Sequence, residues 1–417
     1  MNLVLVAIAW KSLINRGMSA ALTILAVTLA VTLFLSVERI QAGVRTSFNS
    51  TISGTDIIVG ARGGAINLLL YSVFRLGDPT ANVSWESFER IAQAPGVDWA
   101  VPISLGDSHR GYRVVGTTPE YFQRYRYGRD LPLSFRQGRA FERTHEVVLG
   151  SDVARRLDYE IGTQILLSHG VGAVSFAEHG GHDFAVIGVL EPTGTPVDRS
   201  VHVSLESIEA IHIGWDGGIA PRNPTIATDD DALRPESVTA AFIGTVSPMR
   251  VLSLQRQINS DPDEALSAVM PGVALTQLWQ IIGVGEQAFR AVSALVLLVG
   301  LISILTALTS GLNERRREMA VLRATGARPA DVFSLLVLEA SGLAAIGALV
   351  GILLTQLAVA IVASLMQSRF GLDLHGSPGS LELGVFFTVT FAGAAAGTLP
   401  AWQAQRNVLS DGLTNKL

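Results

Sequence analysis

The chain has 417 residues, a formal net charge of −5, 48% hydrophobic residues and only 16% charged ones, with a mean hydropathy of +0.38. Soluble domains carry about a quarter charged residues, so part of this chain is expected in a membrane, and its acidic balance argues against a nucleic-acid binder. The absence of cysteine excludes disulfides, thiolate zinc sites, iron–sulfur clusters and a cysteine nucleophile. Lysine occurs only at Lys11 and Lys416, neither within a G-x-x-x-x-G-K-[ST] phosphate loop, so any ATP that drives this protein must be bound by another chain.

A bilayer core about 30 Å thick needs roughly 20 mostly apolar residues per helical crossing. Four stretches qualify: Gly17–Val37, Ala291–Leu312, Val332–Met366 and Leu383 to about Ala404. The first is too long for a secretory signal, and Glu38-Arg39-Ile40-Gln41 stands where a cleavage site would be, so it reads as an uncleaved span. The third contains no turn signal and reads as one tilted helix. Lys11, Arg16, Arg315, Arg316, Arg317, Arg323, Arg328, Arg406 and Lys416 flank the spans on one side, whereas the segment between spans three and four has only Arg369. The positive-inside rule therefore places both termini in the cytoplasm. The segment from Arg39 to Gln287 falls outside and carries 20 Arg against 28 acids, a net of −8.

That exterior segment is long enough for a substantial core. Ser84 begins a helix that Pro95-Gly96 ends, Val97–Ile103 and Tyr112–Val115 read as strands, and Glu146–Leu149 as another. Ser151–Leu157 reads as a helix capped by Ser151, with strands at Gln164–Leu167, Phe184–Leu190, Ser200–Val203 and Thr239–Val246. Leu205–Ile211 and Met249–Ile258 complete the helices, and the alternation suggests two small α/β layers. Gly214–Pro235 is expected to be a surface loop, its Asp229-Asp230-Asp231 run a solvated face. Leu275, Leu278, Ile281 and Ile282 recur at helical spacing with no proline before the second span, predicting a helix that continues into it; Val37–Phe48 reads likewise after the first.

Candidate sites are few. No G-x-S-x-G elbow occurs, and His145-Glu146 lacks the second histidine of an H-E-x-x-H zinc helix. His169, His179 and His182 surround a glycine-rich stretch and form a weak metal candidate beside the plainer reading of an exposed hairpin. Gly347 with Gly351 and Gly393 with Gly397 give small-residue pairs at helical spacing, suited to close packing of spans within the bundle or at a subunit interface. Glu339 is the one ionisable residue expected within the bilayer, as a packing or a functional group. Between spans two and three, Met319, Leu322 and Val321 are expected on one face of a basic helix that Gly326 caps and Pro329 stops.

The run RRREMAVLRATGARPADVF, with Glu339 and a glycine-rich span beyond it, resembles the signature of the FtsX-like permease domain, as does the ending Pro400-Ala401-Trp402-Gln403-Ala404-Gln405-Arg406. The stretches PGVDWAVPI, VVGTTPEYF, EVVLGSDVARRLDYEIGTQILLS and FAVIGVLEP resemble the periplasmic core domain of MacB-type permeases. Together they cover nearly the whole chain, although Asp411-Gly412 stands where the family commonly has a proline.

The resemblance implies an α-helical membrane protein with four transmembrane helices and a large α+β extracytoplasmic domain inserted between helices 1 and 2. The division is 1–38 (cytoplasmic-face helix and first span), 39–287 (periplasmic core with helical stalks), 288–312, 332–366 and 383–405 (further spans), 313–331 (coupling element), 367–382 (short periplasmic segment) and 406–417 (tail). It further implies a permease subunit in the inner membrane, not itself an enzyme, in an ABC transporter of the MacB, LolC/LolE and FtsX kind. Its partners would be a cytoplasmic ATPase, which binds ATP and Mg, a second permease chain (identical or not) and possible periplasmic proteins, with no nucleic acid. Arg317, Glu318, Met319, Arg323 and Gly326 are the coupling residues carried over. The expected activity is mechanotransmission that moves a lipoprotein, peptide or hydrophobic substrate. The alternatives are an FtsX-like scaffold regulating a periplasmic partner, or a metal-linked transporter or sensor.

Overall fold

The computed structural model describes residues 11–12, 17–169, 183–213, 233–370 and 379–411, giving backbone only at 169, 311–318, 363–370 and 405–411. The chain forms two units: 1–43, 283–365 and 374–417 make one, and 44–282 with 366–373 make the other.

The first unit contains four helices long and apolar enough to cross a membrane. They are α1 (Gly17–Ser50) and the three C-terminal helices introduced below. Between the first and second of them lies the mixed α/β domain, so the expected fold class holds.

The domain opens with β1 (Ile57–Ala61), α2 (Ala65–Ser72), β2 (Val83–Ser84), α3 (Trp85–Ala92), β3 (Val97–His109) and β4 (Tyr112–Thr117). There follow α4 (Glu120–Arg124), β5 (Arg126–Tyr127), β6 (Leu131–Pro132), β7 (Phe135–Gly138), β8 (Glu146–Leu149) and α5 (Ser151–Leu157). Next come β9 (Gln164–Ile165), β10 (Ser168–His169), β11 (Phe184–Leu190), β12 (Ser200–Ser204) and α6 (Leu205–His212). The domain ends with β13 (Ser237–Val238), β14 (Ala240–Thr245), α7 (Pro248–Asn259) and β15 (Leu266–Val269). The remaining helices are α8 (Pro271–Ala324), α9 (Pro329–Phe370) and α10 (Ser380–Asp411). Both α1 and α8 continue without a break from one unit into the other, and α9 is one helix, as the unpunctuated sequence predicts.

One 11-stranded sheet, ordered β15-β1-β14-β3-β4-β12-β8-β11-β7 with β10 on β3 and β9 on β11, replaces the expected two small layers. Neighbours are antiparallel except β4–β12 and β8–β11, which are parallel. β3 and β4 form a hairpin across Arg110-Gly111, both left-handed (φ 48° and 84°), the geometry that a two-residue turn requires to follow strand twist. Alternation divides the core across the sheet. Ile57, Val59, Ala241 and Ile243 lie with Phe88, Ile91, Val251 and Leu254 of α3 and α7. Their sequence neighbours Ile58, Ala240 and Phe242 join Leu68, Leu69 and Tyr121 on the other face.

Several helix limits differ from expectation for physical reasons. Ser84 caps α3 by accepting from the Ser87 amide, as predicted. The cap of α5, however, is Gly150 and not Ser151. A Cβ at 150 would lie 2.2 Å from the Val197 carbonyl oxygen, so close approach of the following turn selects glycine there. Helix α3 stops at Ala92, three residues short of Pro95.

His202 in β12 is fully buried, its ring 5.4 Å from that of Tyr121 and 5.8 Å from that of Phe122. Burial, reinforced by the Arg75 charge, pushes its pKa down to about 3. From about pH 6.5 down to about 3 the unfolded chain binds a proton that the folded chain refuses, so stability is expected to fall as pH drops through that window. His202→Phe should flatten this component. Thermal melts of the detergent-solubilised chain between pH 4 and 7 (about) would show it, and an unchanged slope in the variant would refute it.

Candidate functional site

The turn between the second and third long apolar helices is built from the end of α8 and the start of α9. The Gly326 amide donates to Arg323 O (3.0 Å) and the Ala327 amide to Leu322 O (3.0 Å), with Gly326 at φ 100°. This paired closure satisfies two terminal carbonyls and requires a left-handed residue, which is why glycine stands there. The Thr325 amide donates to Val321 O (3.0 Å), and its hydroxyl to Leu322 O (2.8 Å). Arg328 then begins α9: its amide donates to the Asp331 carboxylate (2.8 Å), while its carbonyl accepts from the Asp331 amide (2.9 Å). Pro329 occupies the first helical position, where no amide is needed. Four residues thus reverse the chain.

Met319 anchors the turn. It is 4% exposed and packs with Val332 and Leu336 of α9 and Ala401 and Ala404 of α10. Leu322 is half-buried, as expected, but Val321 is 59% exposed. At 100° per residue Val321 lies about 200° from Met319, so the two cannot share a face. Arg323 is half-buried and Gly326 exposed. Arg317 and Glu318 lie on α8 one turn or more before its end.

The glycine pairs mark where helices approach closely. A Cβ on Gly347 would lie 2.7 Å from Val27 Cβ, and one on Gly351 2.8 Å from Val31 Cβ, both on α1. The Thr28 and Thr32 hydroxyls donate to the Gly347 and Gly351 carbonyls, each at 3.2 Å. About two turns earlier on the same stripe of α9, Cβ atoms on Gly393 and Gly397 would lie 2.3 Å from Ala344 Cβ and 2.5 Å from Ala340 Cβ. Gly300 of α8 meets Ala30 in the same way, 3.2 Å for the added Cβ. Glu339 is buried within α9, next to Ala340.

Two ion pairs join the same helices, and sequence reading missed both. Arg39 Nε donates to Glu382 Oε1 at 2.9 Å, and the other Glu382 oxygen accepts from the Gly379 amide at 2.8 Å. Their side chains are only 14% and 5% exposed. Glu38 holds Arg290 at 2.7 Å. The signal was available: Glu38-Arg39, Arg290 and Glu382 all flank apolar runs at one predicted membrane boundary, with opposite charges.

Of the histidine candidates only His169 falls among the described residues. His169 lies in β10 opposite Asp107 of β3, while His179 and His182, like Asp229-Asp230-Asp231, lie outside the described residues. Among the described residues no group of three histidines or acids could hold a metal.

Residues 20–241 match the family model for the MacB-like periplasmic core domain, and residues 290–407 the model for the FtsX-like permease C-terminal region. The chain belongs to the MacB/FtsX-type family of ABC transporter permeases. It is 25% identical over 420 residues to the macrolide export ATP-binding/permease protein MacB of Rhodospirillum rubrum, covering 95% of this chain and 58% of that protein. The pyoverdine export ATP-binding/permease protein PvdT of Pseudomonas syringae pv. tomato is 31% identical over 229 residues, covering 54% and 32%. The permease thus spans less than two thirds of each of these relatives. Among solved structures, the periplasmic region of MacB from Actinobacillus actinomycetemcomitans aligns over 55% of the permease and 94% of its own chain, with a TM-score of 0.35 and 11% identity.

Two consequences can be measured on the purified permease. Arg39→Ala strands a buried carboxylate and should destabilise the bundle by about 3 kcal/mol or more; the Arg39→Ala/Glu382→Ala pair should cost less than the sum of the single changes in a double-mutant melting cycle. Gly393→Val should lower the melting temperature through overpacking against Ala344, costing about 1–3 kcal/mol, while Gly384→Val, with open space around it, should not.

Proposed function

We propose that this permease is the membrane subunit of a MacB/LolCDE-type transporter, in which a separate cytoplasmic ATPase, binding ATP and Mg, drives motion that the permease passes to its exterior domain. The cargo class is a lipoprotein, peptide or hydrophobic compound, in keeping with the export named for the relatives, of a macrolide in one and pyoverdine in the other. The observation that carries this reading is the turn itself. It is closed by its own hydrogen bonds, anchored by Met319 between two other helices, and exposes Val321, Thr325, Gly326 and Arg328. Such a turn can be pushed as a body. It also ends α8, the helix that begins at Pro271 in the exterior domain.

Orientation follows from charge: Arg323 and Arg328 put the turn and both termini in the cytoplasm, with the α/β domain in the periplasm and the protein in the inner membrane. A second permease chain, identical or not, completes the membrane part. Arg317, Glu318, Met319, Arg323 and Gly326 are the coupling residues, Met319 holding the element from beneath.

Mass spectrometry of proteins recovered with the tagged permease from gently solubilised membranes tests this. A stoichiometric soluble ATPase is expected, and recovery of the permease alone under conditions that preserve other such complexes would overturn the reading. Glu318→Arg, which reverses one charge on the docking helix, should reduce ATPase association by roughly tenfold with unchanged expression and melting; normal association would remove Glu318 from the coupling surface. ATPase activity that responds to a bound periplasmic protein and to no cargo would replace transport by the scaffold reading.

A further inference from the structure

The exterior domain holds an open groove of about 480 Å³, within the range of small-molecule sites. Four segments distant in sequence form it: the end of α1, the turn after α2, the start of β4 and the stretch leading into β12. Its polar lining is one-sided, with Arg75, Arg113 and Arg199 present and no acid among the lining residues. Its apolar wall includes Phe48, Phe74 and Tyr112, the two phenylalanines stacked at 4.4 Å.

The three arginines are differently committed. Arg113, 9% exposed, donates from one terminal nitrogen to Gly77 O (2.7 Å) and to Asp78 Oδ1 (2.8 Å), but its Nε is buried without a partner. Asp78 is 73% exposed in its side chain, so this rim pair neutralises Arg113 weakly. Arg75 stands in the left-handed region (φ 60°), unfavourable for a residue with a Cβ. It donates to the Ser72 carbonyl, and its Nε too is buried without a partner. Arg199 is exposed and makes no ion pair among the described residues. The carboxylates around it are occupied: Asp198 accepts from the Thr193 and Gly194 amides (2.8 and 2.7 Å), and Asp152 is held by Arg155.

A groove lined by three cations and no acid, with Asp78 as an exposed rim partner of one of them, and faced with aromatic rings suits a ligand with an anionic head and an apolar body. Arginine provides forked donors for phosphate or carboxylate, and the rings provide area for hydrocarbon. We infer that this groove is a binding site of the exterior domain for the anionic head and adjoining apolar part of an amphipathic molecule. The head is a phosphate, as on a lipid, or a carboxylate, as on a fatty acid or peptide end. The site is formed wholly by residues of the α/β unit, and its occupation needs no ATPase.

The test is calorimetric titration of the full chain, in nanodiscs of phosphatidylcholine, with hexyl phosphate, hexanoate, hexanol and inorganic phosphate. Saturable binding of hexyl phosphate or hexanoate is expected, with the tighter of the two naming the head group, and with weaker binding at high salt. Arg199 is exposed and outside any ion pair among the described residues, so Arg199→Ala should keep the fold and weaken binding by roughly tenfold, with Arg199→Lys recovering much of it. Three results would each overturn the assignment: no saturable binding of either amphipath, hexanol binding as tightly as they do, or affinity unchanged in Arg199→Ala. Equal affinity for inorganic phosphate would remove the apolar wall from the site and overturn it as well. Because no ATPase is present, such failures leave the coupling reading intact.

Discussion

Close backbone approach at glycine is the constraint on which the membrane unit depends. In lipid, apolar side chains gain nothing by leaving one hydrocarbon surface for another, so helices associate through fine packing and hydrogen bonds. Helix α9 meets both requirements along one stripe, at successive heights. Toward α1 it presents Gly347 and Gly351, whose carbonyls accept from Thr28 and Thr32; toward α10 it presents Ala340 and Ala344, against Gly397 and Gly393. One small-residue stripe of α9 thus serves two neighbours, α10 at Ala340 and Ala344 and α1 at Gly347 and Gly351.

Beyond the glycines the same unit uses a more costly device. Arg39 and Glu382 are both nearly excluded from water, and burial of such a pair is favourable only when its geometry is good and the remaining lone pairs are used. The Gly379 amide uses one of them at the start of α10. The contribution is one of registry: the pair fixes the rotation of α1 against α10, where hydrocarbon contacts alone would tolerate sliding.

The spans were legible in the sequence because an uncharged apolar run of about twenty residues matches the thickness of a bilayer and exceeds what a soluble core helix needs. Glu146–Leu149, Ser151–Leu157 and Phe184–Leu190 were bounded correctly, each being short and punctuated. Ile57–Ala61 was not seen, since a strand buried on both faces has no period to read, and Ala65–Ser72 carries leucines around most of its circumference. The single large sheet escaped because parallel pairing of β4 with β12 and β8 with β11 joins distant segments. The groove escaped for the same reason: Arg75, Arg113 and Arg199 share no local pattern. In the coupling turn, Gly326 and Pro329 were legible from turn chemistry, whereas the grip on Met319 depends on α10, which arrives some 80 residues later.

The closure of that turn has a consequence for how another protein can read it. Every amide from Thr325 to Arg328 is engaged within the turn, and Pro329 has none. The segment therefore offers an incoming surface no main-chain donor with which to extend a sheet or cradle an anion. Recognition must rest on contour and on the arginine side chains, both of which can change by single substitutions without disturbing the backbone. A turn of this kind can acquire new docking specificity while its own hydrogen-bonded closure stays the same.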